Sequence, residues 1–490
     1  MINEFVWNLY LKSGGQDVVD MFRRNLTEDF TVEYVDAIKD MHLYYCASRN
    51  KVEDTSEQLM ALVDELSKDN GMDAANGEYD IDGILNDTWN DYSVDSDKDD
   101  RVFASFIGGL AYTSTLLAVL YPEDMVPYYF VINYNVLEKI AASFDIKLPS
   151  IPAKKDYRGR FYHYGELCKA FKEFRKANGW DLYEFCAFLY DFAPKYIGGI
   201  DSYIVKDLPE PKSAYFIGGG GDNADASAED EPDNICLWQC SPSTRAGDMI
   251  VMYLRTPISA ISSVWRSVSI GFNDPFFYYY RCTYIGRPVK AKRISLDKIK
   301  ADKVLGAMPI VNKNMQGING VELMPSEYNH ILGISGCKAP KLEYSAVEAD
   351  GEYPNEKAVE DQVIKPFLKV LGYDEGEYVQ QLYVEIGNHN NTLIPDFVLL
   401  PDDRGAYKRA FAIVEAKRSI TKDKELEDAL AQTRSYALLL RVKYAVVASQ
   451  EGLWILSDKD EYSDVIKRYK WAETKDNDVL YEIRKMIGKG

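Results

Sequence analysis

Asp396, Glu415 and Lys417 are the residues whose types and spacing most directly suggest chemistry. Asp396 follows Pro395 in an apolar run (TLIPDFVLL), and Glu415-Ala416-Lys417 closes a second one (AFAIVEAK). If both runs are strands, side-chain alternation turns Glu415 and Lys417 to one face and Ala416 to the other. The 18 residues between Asp396 and Glu415 suit an antiparallel hairpin with a long tip, which would bring both carboxylates to one place. Hydrolysis of a phosphodiester needs a hard cation held by oxygen ligands, an activated water, and positive charge at the phosphate. Asp396 and Glu415 are therefore the metal-ligand candidates, with the backbone carbonyl of Ala416 able to complete the shell. Lys417 would orient or deprotonate the water. The expected cation is Mg2+, with Mn2+ as a substitute.

Positioning these groups takes four elements in order within about a hundred residues. A helix comes first, NEKAVEDQVIKPFLKVLGY, with Val359, Val363, Phe367 and Val370 on one side and Glu356 and Glu360 one turn apart. The two strands follow. A second helix then carries Gln432, Arg434 and Tyr436 (AQTRSYALL), ahead of the apolar runs KYAVVAS and LWIL. This section resembles the amino-terminal nuclease domain of the R subunits of type I restriction enzymes, a PD-(D/E)XK fold. The likeness rests on the LGY end of the first helix, the PD and EAK strands and the Q-x-x-x-Y helix. It implies that Asp396 and Glu415 bind metal, that Lys417 is the catalytic lysine, and that Gln432 and Tyr436 are supports near DNA. Glu360, with Glu356 as the alternative, would be the helix acid holding an outer water. No GxxxxGK[ST] phosphate loop occurs in the chain, so no ATP-driven motor is expected.

The middle of the sequence alternates apolar and polar residues in short runs rich in β-branched and aromatic side chains: AYFIG, ICLWQC, GDMIVMYL, ISSVWRSV and FFYYYRCTYIG. From about Ala214 to Leu332 it resembles the EVE branch of PUA-like domains. The residues that carry this are Leu237-Trp238, the TRAGD turn (Thr244 to Asp248), Ile261 to Trp265, and MQGINGVEL before SEYNHIL. The resemblance implies a small β-barrel that receives a flipped base, with aromatic faces for stacking and a few polar groups for the base edge. Trp238 and Trp265 are the stacking candidates, with Phe276, Phe277 and Tyr278 as alternates, and Asp248 and Ser241 are the polar ones. In a strand, FFYYY would alternate faces, so only part of it could meet a ligand. Arg281, Arg287, Lys290, Lys292 and Arg293 are candidates for phosphate contact.

The remaining residues set the frame. The 490-residue chain has 46% hydrophobic and 27% charged residues, a globular composition long enough for several domains. The fold class expected is multidomain α+β. Residues 1–205 would be a mostly helical domain, 212–335 an EVE/PUA-like barrel, and 350–490 an α/β PD-(D/E)XK nuclease domain. Helical spacing is read for Ile140 to Asp145 and for Leu167 to Tyr190. Lys68 to Asp100 reads as loop around a short helix at Ile81, Ile84 and Leu85, and the glycine-rich, acidic stretch Gly218 to Asp233 as a long mobile loop.

The net charge of -20 is unevenly placed. From Lys51 to Asp100 there are 16 acids against 3 lysines, whereas Arg281 to Ser345 holds 11 Lys/Arg against 5 acids, which leaves a DNA-facing surface open to the second half. Seven cysteines without a CxxC pair suggest buried, reduced thiols, and His42, His163, His330 and His389 form no metal or acid-base spacing. Val102 to Tyr121 is uncharged and long enough to span a bilayer, but its composition fits a core helix, and the start lacks the features of a signal peptide. A cytoplasmic protein is expected.

Together these features suggest a modification-dependent restriction endonuclease that cuts DNA carrying modified bases in defence of a bacterium. One active site cuts one strand, so a double-strand break would call for a homodimer or two convergent molecules. The alternative is a DNA- or RNA-binding protein whose nuclease fold is inactive or acts on another nucleic acid.

Overall fold

The computed structural model of the chain describes residues 2–27, 29–35, 81–93, 98–130, 133–198, 203–220, 235–349, 351–386, 391–402 and 409–489. These form a mixed α/β protein of two compact units, Met1–Glu322 with Ser335–Ala339, and Leu323–Ile334 with Pro340–Gly490.

The first unit joins the helices and the middle strands in one body, where the sequence suggested two domains meeting near residue 205. The seam explains the difference. Phe276, expected in a strand, lies in the aromatic core of the helical part, with its ring 4.7 Å from Tyr128 and 5.8 Å from His163. Arg160 is fully buried and donates to the carbonyls of Pro275 (2.8 Å) and Phe277 (2.6 Å). FFYYY is thus a turn, not part of a strand. Asp274 ends the preceding strand by accepting the Phe276 and Phe277 N–H groups, and Tyr280 takes a left-handed backbone (φ 72°). A buried carboxylate holding local N–H groups competes directly with a sheet ladder.

The helices include α1 (Glu4–Tyr10), α2 (Gln16–Asn25), α3 (Ile81–Ser93), α4 (Asp99–Leu120), α5 (Tyr134–Phe144), α6 (Tyr157–Asn178) and α7 (Leu182–Ala187). Ile81, Ile84 and Leu85 do anchor a buried helix, α3, which reaches 13 residues. The helical run read across Leu167 to Tyr190 is broken at Gly179, whose φ of 68° ends α6, and Asp181 restarts it as α7 through a capping box with Glu184. Helix α4 is long and apolar enough to cross a membrane, but half of its apolar window is buried within the unit. Its Ser114 accepts the Tyr128 N–H and its Thr115 hydroxyl meets that of Tyr129, so its polar groups are used inside the unit. His163 is buried against the Tyr134 hydroxyl, and burial pulls its pKa down to about 4. His42, His389 and most of the acidic Lys51 to Asp100 stretch lie outside the described residues. So does the Gly218 to Asp233 loop, apart from Gly218 to Gly220. The cysteines described are free thiols, and all but Cys236 are buried.

The strands of this unit are β1 (Ala214–Gly219), β2 (Cys236–Gln239), β3 (Met249–Leu254), β4 (Ala260–Ser267), β5 (Phe272–Asn273), β6 (Arg281–Ser295) and β7 (Val321–Leu323). They form one sheet in the order β2-β6-β4-β3-β1-β7, with β5 on β6 and β1 parallel to β3. The sheet curls, and side chains tie its far strands together. Trp238 on β2 donates to the Gly218 carbonyl on β1 (3.2 Å), and Asn319 accepts the Gly218 N–H while donating to Gln239 (2.7 Å).

The second unit is built on a six-stranded sheet in the order β15-β14-β13-β12-β11-β8. Its strands are β8 (Tyr378–Gln380), β11 (Phe397–Leu399), β12 (Ala412–Ala416), β13 (Tyr444–Ser449), β14 (Gly452–Ser457) and β15 (Lys467–Tyr469), while β9 (Val384–Ile386) and β10 (Asn391–Leu393) form a separate hairpin. Strands β11, β12 and β14 are buried along their whole length, and β13 nearly so, as expected for a sheet covered on both faces.

Period-two alternation divides the strand side chains between two cores. Phe397, Leu399, Ala412, Val414 and Val446 join the helices near Val359 and Leu480. Val398, Ile413, Ala445 and Val447 pack under the helix Asp423–Leu440. Residues 323–334 and 340–349 also belong here, so this unit starts earlier than the expected 350. Asn329 bonds both the N–H and the carbonyl of Leu342, and Asn477 accepts the Tyr344 N–H.

Candidate active site

Asp396, Glu415 and Lys417 meet at the ends of adjacent strands. Strand β11 runs antiparallel to β12, with Phe397 opposite Val414, so Asp396 sits one step beyond that pair and Glu415 one step along β12. The Asp396 carboxylate accepts the Ala416 N–H (2.7 Å), which locks the two strand ends together. Glu415 and Lys417 share a face, as alternation requires, and the Lys417 ammonium donates to Glu415 Oε1 (2.8 Å). Backbone bonding continues past the strand, with the Lys417 N–H donating to the Ala448 carbonyl on β13 (2.8 Å). Ala416 turns its methyl into the opposite core.

The first helix brings two more carboxylates. It opens at Asn355, whose side chain caps the Ala358 N–H (2.9 Å), and passes through a wide π-type turn at Glu360–Ile364. Such a turn inside a helix costs regular bonding and recurs at functional sites. Carboxylate oxygens of Glu356, Glu360 and Asp396 all lie within 4.8 Å of one another. Glu360 is buried and fixed by Lys357 (2.9 Å) and by the Gln380 amide from β8.

Four carboxylates crowded together at low exposure should resist ionisation. Burial, then the charges of Glu356 and Glu360, push Asp396 up to about 6, against the Ala416 N–H and Lys417. Burial and the Asp396 charge push Glu415 up to about 7 in spite of Lys417. Burial alone would depress Lys417, but its bond to Glu415 and the charges of Glu415, Glu356 and Asp396 hold it above its ordinary value. Lys417 is therefore an ammonium at neutral pH, which favours orienting and charge stabilisation over proton abstraction.

The donor set suits a hard divalent cation. Its side chains offer carboxylate oxygens alone, and Glu415 Oε2 is buried with no hydrogen-bond partner, an acceptor whose desolvation nothing offsets. The expected ligand set of Asp396, Glu415 and Ala416 is thereby widened. Glu356 and Glu360 approach Asp396 directly, so Glu360 is an inner rather than an outer ligand candidate, and Glu356 joins it. Sequence reasoning missed Gln380, a polar residue in a short half-buried strand. It also missed Glu451, which accepts from Ser419, Ser449 and the Ile420 N–H and so pins the segment after Lys417. Gln432 is exposed on its helix and donates to the Tyr436 hydroxyl (2.9 Å). Among the described residues no hydrogen bond ties it to the carboxylate cluster, so its catalytic role finds no support in the geometry.

The raised carboxyl groups set a pH dependence. A carboxyl whose pKa is higher in the folded than in the unfolded chain binds more protons when folded, so stability falls as pH rises between the two values. For Asp396 and Glu415 this window runs from their ordinary values of 3.8 and 4.5 to about 6 and about 7. We expect these two groups to lower the melting temperature of the metal-free protein between about pH 4 and about pH 7, and millimolar magnesium to restore it at the upper end of that range only. Thermal melts with and without metal check this, and an equal metal effect at both ends of the range would contradict it.

In the first unit, the residues proposed to read a base fare unevenly. Trp265 is 1% exposed and donates to the Ser263 hydroxyl (2.9 Å) within the apolar cluster of Tyr215, Ile250 and Met252, so it serves as core and offers no free face. Asp248 is likewise buried. Its two oxygens accept the N–H groups of Lys212, Ser213 and Arg245, so it holds a turn together and is not aimed at a ligand. Ser241 accepts the Ser243 N–H (3.2 Å). Trp238 alone of the two tryptophans is only partly buried, on the border of the same cluster. Of the alternates, Phe276 is core, and Phe277 and Tyr278 lie in the turn.

No family model and no curated protein matches the chain. Two solved structures are similar to parts of it. The NMR structure of Rpa0253 from Rhodopseudomonas palustris matches at 13% identity and a TM-score of 0.23, covering 25% of this chain and 93% of that one. The crystal structure of Atu2648 from Agrobacterium tumefaciens matches at 16% identity and a TM-score of 0.23, covering 26% and 97%.

Proposed function

We propose that the second unit is a magnesium-dependent nuclease of the PD-(D/E)XK type that hydrolyses DNA phosphodiester bonds. The observation that carries this is the convergence of Asp396, Glu415 and Lys417 on neighbouring strands, beside Glu356 and Glu360 from one helix. The carboxylates would hold the cation, which when bound polarises the phosphate and makes a water acidic. Glu415 and the helix acids orient that water by accepting from it. Lys417 holds its positive charge where negative charge grows on the phosphate oxygens. Gln380 and Lys357 keep Glu360 in place, and the Ala416 N–H does the same for Asp396.

As the finer part of the proposal, the curled sheet of the first unit is an EVE-like reader, and the whole chain is a modification-dependent restriction endonuclease acting in the cytoplasm. The division of labour is physical: a metal site sees the backbone, and a pocket has to supply discrimination. The test is cleavage by the purified full chain, with magnesium or with chelator, of plain DNA, cytosine-modified DNA and RNA. Cutting of modified DNA alone, dependent on metal, is the expected outcome. Equal cutting of all DNA would remove the reader, cutting of RNA alone would change the substrate, and no cutting would leave a binding protein.

The two tryptophans should separate in the same assay. Trp238→Ala is expected to weaken binding to modified DNA by about 1–3 kcal/mol, the size of one stacked base, and to lower melting by less than Trp265→Ala does, since it gives up a cluster edge and one bond to the Gly218 carbonyl and not the centre of the core. Trp265→Ala should instead cost about 3–5 kcal/mol of stability, as a lost core aromatic does. Titrations with modified and plain duplexes beside thermal melts read both, and unchanged selectivity in a folded Trp238→Ala protein would rule that residue out.

A further inference from the structure

Strand β6 is the longest among the described residues at 15 residues, and its ladder with β4 slips twice. Between the pairs Arg266↔Gly286 and Val264↔Val289, two steps on β4 face three on β6, and the excess falls at Arg287 and Pro288. Arg287 takes a left-handed backbone there, with φ 53°. Between Ser263↔Lys290 and Ile261↔Ile294, two steps face four, and the excess falls within Ala291, Lys292 and Arg293. A bulge bends its strand and re-aims the side chains it carries. Both bulges therefore fall on cationic residues, and Arg287, Lys290, Lys292 and Arg293 are all exposed. The helix Leu296–Ala301 follows at once and exposes Lys298 and Lys300.

From Arg281 to Lys313 the sequence holds nine Lys/Arg against two Asp, in a chain of net charge -20. A protein so acidic has ample carboxylates with which to neutralise these cations. Yet among the described residues Lys292, Arg293, Lys298 and Lys300 have no carboxylate partner. Concentrated, exposed and unneutralised positive charge on an otherwise repulsive molecule is the footprint of a polyanion. Duplex DNA, with about one negative charge per 1.7 Å of axis, supplies the density that matches it.

We infer that the twice-bulged half of β6 and the helix after it form a ribbon that grips the sugar-phosphate backbone of duplex DNA without reading its sequence. This rests on the nuclease reading for the choice of DNA as the polyanion. The ribbon supplies affinity and leaves base discrimination and bond cleavage to other parts of the chain.

The test is a salt titration of binding by the full chain in metal-free buffer, using a fluorescent unmodified duplex. The variant carries Lys292→Gln, Arg293→Gln, Lys298→Gln and Lys300→Gln. At about 0.9 per phosphate contact, the slope of log affinity against log salt should fall by about 3 to 4, with at least about a tenfold loss at low salt. A control of equal charge change elsewhere (Lys12→Gln, Arg24→Gln, Lys147→Gln, Lys176→Gln) should keep the wild-type slope. Thermal melts of both proteins should match wild type, and a ribbon variant that does not fold is replaced by its two-residue halves, each expected to lower the slope by about 2.

A wild-type slope in the ribbon variant, an equal loss in the control, or no salt-dependent DNA binding by wild type overturns the inference. Loss of binding to an RNA hairpin with duplex DNA binding intact also overturns it. Metal-dependent hydrolysis of bis(p-nitrophenyl) phosphate reads the cutting site without the ribbon, and should be the same in variant and wild type. If wild type shows no such hydrolysis while the ribbon variant still loses DNA, the nuclease reading fails and the ribbon stands.

Discussion

Replacing Lys417 with alanine is expected to lower metal-dependent cleavage by about 10²–10⁴-fold, the usual cost of losing one positioned acid-base or electrostatic group. Affinity for DNA should hardly change if, as proposed, the cationic ribbon of the first unit supplies it. The effect on folding should be modest for a stated reason. Lys417 is the ammonium bonded to Glu415, whose side chain is 2% exposed, and removing one partner of a buried pair normally strands the other charge. Burial and the Asp396 charge, however, already push the Glu415 carboxyl up to about 7 against the pull of Lys417, so it can take up a proton once Lys417 is gone. Lys417→Arg keeps the charge but replaces a compact ammonium with a planar fork, so it should recover only part of the rate. Single-turnover cleavage with saturating magnesium, beside binding in metal-free buffer, separates chemistry from affinity. Full activity in Lys417→Ala would remove it from the mechanism, and a parallel loss of binding and melting temperature would make it structural.

How far the sequence disclosed all this depends on the range of the forces involved. The placement of Asp396, Glu415 and Lys417 was legible because strand alternation and an apolar run are local properties: they put Glu415 and Lys417 on one face before any tertiary contact was known. The hairpin joining Asp396 to that face followed from the same run lengths. Glu356 entered only as an alternate, since a helix acid gives no sign of how closely it will approach a strand end 40 residues later. Gln380 was invisible for the same reason, as its worth lies entirely in reaching Glu360. The residues expected to read a base were legible as types and not by their surroundings. A tryptophan in a short apolar strand has the same pattern whether it fills a core, as Trp265 does, or edges it, as Trp238 does. Asp248 in a TRAGD turn looks like a free carboxylate until the N–H groups of Lys212 and Ser213, far back in the chain, are seen to claim it. FFYYY was misread because strand propensity is a weak preference that a buried carboxylate and a tertiary aromatic cluster override. The contacts that draw helices and sheet into one compact unit were invisible for the same reason, since Arg160 and Phe276 join them across more than a hundred residues.

Asp396→Asn should show opposite effects on function and stability. Asp396 is the carboxylate shared by both parts of the cluster, close to Glu356 and Glu360 and one strand away from Glu415. Its loss should weaken magnesium binding by about 100-fold or more, since even groups that only support a metal ligand typically cost 10–100-fold. Cleavage at millimolar magnesium should become undetectable, with partial rescue at higher metal concentration. In metal-free buffer at about pH 8 the same variant should be more stable than wild type, by roughly 1–2 kcal/mol after allowing for solvent screening. The sign follows from the crowding. Asp396 is pushed up to about 6 by burial and by neighbouring acids, so at pH 8 the wild-type fold holds a charge it disfavours, and an amide removes it. The amide oxygen can still accept the Ala416 N–H, so the strand ends stay joined. Near pH 5, where wild-type Asp396 is largely protonated, the stability gain should vanish. Metal titrations by calorimetry and melts across pH give both readouts. A variant that loses stability as well as activity would mean that Asp396 serves the fold first, and the carboxylate cluster would need another explanation than a cation.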